Sequence, residues 1–88
     1  MEKNKLIIIV DPVSYFQRCL ALVDGQLVDQ IGVSQDDLMD TINAFVQKYN
    51  IVEVDITGPQ TYAQKYVKDL NDPTKYSQIT VNYCGGTK

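Results

Sequence analysis

Leu6-Ile7-Ile8-Ile9-Val10 runs directly into Asp11-Pro12, and the reading of this stretch decides the fold. An unbroken apolar run dominated by β-branched residues reads as a central strand covered on both faces. Pro12 ends it, because proline has no N–H to give to a ladder. A central strand needs a neighbour on each side, and the chain supplies candidates for both. After a turn or short excursion over Val13 to Gln17, Arg18 to Val23 and Gln26 to Ile31 flank Asp24-Gly25. Both turn residues tolerate positive φ, so this is a two-residue hairpin turn. The second arm mixes polar and apolar residues, as an edge strand does.

Gly32-Val33 leads into a helix, with Ser34 as its N-cap and Asp36 and Asp37 in the first turn, where the helix dipole favours anions. Leu38, Ile42, Phe45, Val46 and Tyr49 recur at three and four residues and form one apolar stripe. Asn50 is its C-terminal stop. Ile51 to Ile56 alternates, with Val52, Val54 and Ile56 on one face and Glu53 and Asp55 on the other. A helix precedes it, so it runs parallel to the first strand. Thr57-Gly58-Pro59 opens a second helix, with proline in the tolerated first turn. Tyr62, Ala63, Tyr66, Val67 and Leu70 make its stripe, and Asn71-Asp72-Pro73 ends it. Ser77 to Tyr83 is a last strand. The expectation is one α/β domain over residues 1–84, β-β-β-α-β-α-β, with a mixed five-stranded sheet in the order 3-2-1-4-5 and a flexible tail at 85–88.

Composition narrows the function. The 88 residues are 44% hydrophobic and 22% charged, which is globular rather than disordered. Eight Lys+Arg against eleven Asp+Glu leave a net charge of −3, which argues against nucleic acid as a partner, since phosphate binding rests on Lys and Arg. With no His, and with only Cys19 and Cys84 as thiols, closed zinc sites and Ser-His-Asp hydrolases are excluded. No stretch is long enough to cross a membrane as a helix, and the opening apolar run is too short for a signal peptide. Two cysteines without a disulfide framework point to a reducing, intracellular, cytoplasmic setting.

The strand ending in Asp11-Pro12, the hairpin Leu20 to Val28 and the segment Val54-Asp55-Ile56-Thr57-Gly58-Pro59 together resemble the ribonuclease H-like fold, and within it the RuvC-type Holliday junction resolvases. The likeness spans about residues 5 to 83. It implies that Asp11 matches the acid of the first strand, which in that family holds divalent metal. Where the family has an acid before a Gly-Pro or Gln-Pro pair, this chain has Thr57. Asp55 lies two positions earlier, on the same face but roughly 6.6 Å further down the strand. The acids that the family places on a later helix have no counterpart here.

Two function classes follow, with a third beside them. The first is a non-catalytic ribonuclease H-like module that works by protein contact or self-association, the kind of small protein a virus, phage or mobile element carries. Its candidate contacts are Tyr15, Phe16 and the edge strand Gln26 to Ile31, and it needs no cofactor. Six tyrosines in 88 residues suit either an interface or a small core whose hydroxyls reach water. The second is a magnesium-dependent nuclease or resolvase with Asp11 and Asp55 as catalytic metal ligands and the missing acid supplied by another subunit. The third is a small-molecule or nucleotide sensor using a crevice near Asp11, Ser14, Thr57 and Gly58, where a helix opens at a strand's end. Each acid also has a plain structural reading: Asp11 as the cap of an Asp-Pro turn, Asp55 as a partner of a nearby Lys or Arg, and Asp36, Asp37 and Asp40 as a solvated helix start.

Overall fold

In a computed structural model, which describes residues 3–76 and 79–84, the chain forms β1 (Lys5–Ile9), β2 (Phe16–Val23), β3 (Gln26–Ser34), α1 (Leu38–Tyr49), β4 (Glu53–Thr57), α2 (Gln60–Leu70) and β5 (Thr80–Tyr83). The five strands make one sheet in the order β3-β2-β1-β4-β5, as expected. β1 pairs antiparallel with β2 and parallel with β4, and β5 lies parallel to β4. The hairpin turn is where Asp24-Gly25 places it, with φ of 54° and 81° at the two residues.

Several element boundaries move. β2 begins at Phe16, inside the expected excursion, and β3 continues through Gly32-Val33 to Ser34. Ser34 therefore closes a strand. A single 3₁₀ turn, Gln35–Asp37, separates it from α1, and its hydroxyl bonds the Asp37 carboxylate at 3.2 Å instead of capping backbone N–H groups. Asn50 does stop α1, in the left-handed conformation at φ 53°. Pro59 stands just before α2 rather than within its first turn. Val52 precedes β4 and is exposed, so it does not share the core with Val54 and Ile56. Of the last strand, Thr80–Tyr83 is observed; Ser77, Gln78 and the tail 85–88 lie outside the described residues.

The main correction concerns β1. Among the described residues, its run of apolar residues is covered by helices on one face only. Leu6 and Ile8 are fully buried, together with their cross-strand neighbours Cys19, Ala21, Val54 and Ile56. Ile7 is half-buried and Ile9 is exposed. The topology explains this. β3, β4 and β5 run parallel to one another, and the crossovers β3-α1-β4 and β4-α2-β5 both move the same way across the sheet. Right-handed crossovers then put both helices on the same side. α1 lies over β2 and β3, and α2 over β4 and β5. Their buried residues Leu38, Ile42, Phe45, Ala63, Tyr66 and Leu70 complete the core. Each fully buried aliphatic side chain there contributes about 1.5–3 kcal/mol. Among the described residues, the other face of the sheet carries no helix.

Candidate functional site

The loop after β1 is built around Gln17. Its side chain is fully buried on the helix-covered face, in parity with Cys19 and Ala21. Its Oε1 accepts the Asp11 N–H, and its Nε2 donates to the carbonyls of Asp11 (3.1 Å) and Ser14 (3.2 Å). A buried amide must be satisfied, and here it is satisfied by sewing the loop to the start of β2. Asp11 Oδ1 accepts the Val13 N–H at 3.0 Å, and Ser14 Oγ accepts the Phe16 N–H at 3.2 Å. The Tyr15 and Phe16 rings meet edge to face, 4.9 Å apart, and both are exposed. A shallow cavity of about 380 Å³ beside the loop is walled by Pro12, Val13, Ser14, Tyr15, Gln35 and Asp36.

Thr57 and Gly58 are not among its walls. The Thr57 carbonyl accepts the Val10 N–H at 2.9 Å, and its hydroxyl donates to the Ile8 carbonyl at 3.4 Å. Gly58 has φ of 133° and packs against Val10. Its carbonyl accepts the Tyr83 hydroxyl. The polar groups proposed to line a crevice are thus spent on joining the ends of β1, β4 and β5.

Asp55 lies on the helix-free face. Its carboxylate pairs with Lys5 Nζ at 3.2 Å and accepts Asn82 Nδ2 at 2.9 Å, and the same Asn82 nitrogen donates to Glu53 at 2.8 Å. The hydrogen bond from Lys5 to Asp55, then the charges of Asp55 and Glu53, raise the Lys5 ammonium above its ordinary pKa. In the ladder Asp55 stands opposite Ile7, four positions before Asp11. That is roughly 13 Å along the strand. The magnesium that the resemblance implies does not fit these residues. Two-metal chemistry holds its ions roughly 4 Å apart with shared carboxylates, whereas here one acid caps a turn and the other serves a lysine. Among the described residues no cluster of three or more acids, cysteines or histidines is arranged to hold a metal.

The feature that sequence reasoning missed is the helix-free face itself. It divides along β1. Toward β4 and β5 it is polar, with Lys5, Glu53, Asp55 and Asn82 bonded together. Toward β2 and β3 it is apolar: Ile7, Ile9, Leu20, Leu22 and Leu27 stand side by side in the ladder, with Phe16 continuing the row. Arg18, the chain's only arginine, rises among them opposite Ile9 and donates to Gln30 Oε1 at 3.0 Å. Among the described residues no carboxylate lies within ion-pair distance of Arg18. The signal was available in the even-numbered positions of β2, where Phe16, Leu20 and Leu22 are apolar although the opposite parity already supplies the core. Comparison with protein-family models, with curated proteins and with solved structures finds no match for this chain.

Proposed function

We propose that the chain is a non-catalytic binding module of ribonuclease H-like, RuvC-type order that acts through protein contact on the helix-free face of its sheet. The observation that carries this reading is the contiguous apolar half of that face, Ile7, Ile9, Leu20, Leu22 and Leu27, left uncovered by both helices. Apolar strand faces of this kind are buried in stable folds, and an uncovered one marks an interaction surface. The engagement of Asp11 and Asp55 in separate local bonds supports a binding role over metal-dependent cleavage. The net charge of −3 supports a protein over a nucleic acid as the partner.

The test is site-specific photo-crosslinking. A crosslinker at Leu20, on the helix-free face, is expected to form adducts with other polypeptides, while one at Gln47, on the exposed side of α1, forms none. Equal yields from the two positions would remove the basis for the reading. In parallel, magnesium and manganese titrations followed by NMR are expected to leave the amides of Asp11 and Asp55 in place. Shifts there that vanish in Asp11→Ala, together with cleavage of branched DNA, would replace it with the nuclease reading.

A further inference from the structure

We propose that the loop between β1 and β2 is a contact site in its own right, and that the cavity beside it takes the side chain of an arginine from a partner polypeptide. This goes beyond the helix-free face and does not depend on it.

Exposure marks the loop. Among the described residues the three most exposed large apolar side chains are Val13 (92%), Tyr15 (70%) and Phe16 (54%), all within four positions. Single exposed apolar residues are ordinary on any surface, whereas a group of them gathered on one loop marks a place of contact. The loop is also held in one shape. The buried Gln17 side chain bonds it at three points, the Asp11 carboxylate caps the Val13 N–H, and the Ser14 hydroxyl oxygen accepts the Phe16 N–H. Ordering a loop is a large part of what opposes binding, and here folding has already done it.

The cavity says what docks. Pro12, Val13 and the Tyr15 ring make its apolar walls, and Ser14, Gln35 and Asp36 its polar ones. At about 380 Å³ it lies at the small end of ligand sites and admits one long side chain. Asp36 is the only ionised group in its walls at neutral pH. Among the described residues no lysine or arginine lies within ion-pair distance of it. The neighbouring acids are already engaged, Asp11 by the Val13 N–H and Asp37 by the Ser34 hydroxyl. Residues 6–17 and 31–47, the segments on either side, contain no Lys or Arg at all.

An apolar or acidic guest would strip water from Asp36 and leave it unpaired. A long cationic side chain suits every wall, with its stem against Pro12 and Val13 and its charge between the Tyr15 ring and Asp36. Arginine suits them better than lysine, because a planar guanidinium stacks on a ring while its edge presents a fork to a carboxylate. The same carboxylate weighs against a membrane. Val13, Tyr15 and Phe16 could reach lipid only by bringing Asp36 to a negatively charged surface.

The test is an NMR titration of the isotope-labelled chain with a capped glycine-arginine-glycine tripeptide, up to about 20 mM, beside the same peptide carrying citrulline, whose urea is the neutral counterpart of guanidinium. The amides of Val13 to Phe16, Gln35 and Asp36 are expected to shift, with dissociation on the order of 1–10 mM. Citrulline is expected to bind at least about fivefold more weakly. Asp36→Asn and Tyr15→Leu are each expected to weaken the arginine peptide at least about threefold. Both side chains are exposed, and the citrulline comparison needs no variant. No shift at the top of the range overturns the proposal. So do equal shifts from citrulline, or shifts spread over other acids such as Asp40 and Asp69. Vesicles of phosphatidylcholine that broaden Val13, Tyr15 and Phe16, where the peptide has no effect, overturn it in favour of lipid. None of these results bears on the crosslinker at Leu20, so this site can fail while the reading of the helix-free face stands.

Discussion

Gly58 and Val10 are in such close contact that a Cβ on Gly58 would stand 2.4 Å from the Val10 carbonyl oxygen and 3.0 Å from its Cβ. The neighbour is backbone at the buried end of β1, so it has no rotamer to yield. The φ of 133° at Gly58 is itself one that side chains rarely adopt. Gly58→Ala is therefore expected to lower stability by about 3 kcal/mol. Urea unfolding followed by circular dichroism checks this, and a loss under about 1 kcal/mol would mean that the turn relaxes freely.

Gln17 and Asp11 invert the importance that sequence reading assigns them. Gln17→Leu removes three hydrogen bonds and leaves the Asp11 N–H without its acceptor, so a loss of about 2–4 kcal/mol is expected. Asp11→Ala removes one bond to an exposed N–H that water replaces, and is expected to cost within about 1 kcal/mol. Equal losses from the two variants would show that Asp11 has a role beyond its turn.

Tyr66 is buried on α2, and its hydroxyl has no hydrogen-bond partner. Burying an unsatisfied hydroxyl is costly. Tyr66→Phe keeps the ring and removes the cost, so a gain of about 1 kcal/mol in stability is expected. Tyr76→Phe should go the other way, because the Tyr76 hydroxyl bonds Asn43. Comparing the two by thermal unfolding separates the hydroxyl effect from the loss of a phenol as such.

Cys19 makes the fold sensitive to alkali. Burial pushes its thiol from 9.0 up to about 12. Below about pH 9 the thiol is protonated in both states and the contribution to stability is complete. Between about pH 9 and about 12 the unfolded chain gives up this proton while the folded chain keeps it, so stability falls as pH rises. The raised values of Lys5, Cys84 and Tyr76 act in the same direction. Stability measured from about pH 8 to about 11 should decline, and more gently in Cys19→Ala. At about pH 8 a thiol reagent should label Cys84, which is exposed, and reach Cys19 only on unfolding.

Much of the architecture was legible in local patterns. Asp24-Gly25 specifies its turn because few other pairs adopt positive φ together. The stripe Leu38, Ile42, Phe45 reports one buried helix face. Coverage of β1 was not legible in the same way: a run of isoleucines has no alternation, so it cannot say which face is wet. The answer lay in the direction of the two crossovers. Gln17 belongs to no motif, and only its parity with Cys19 and Ala21 marked it as buried. Asp11 drew attention because Asp-Pro is conspicuous, yet its carboxylate does no more than the turn requires.

The central place of β1 has a consequence for how the chain is made. Synthesis delivers β1, β2 and β3 first, and the hairpin pairs one side of β1 at once. The other side waits for β4, which begins nineteen residues after Ser34. At roughly 5–20 residues per second, that edge stays open for about one to four seconds on every nascent chain. For that interval the strand that will become the middle of the sheet is its rim, with Leu6 and Ile8 without their ladder neighbours Val54 and Ile56, and two neighbouring ribosomes present the same unpaired ladder to each other.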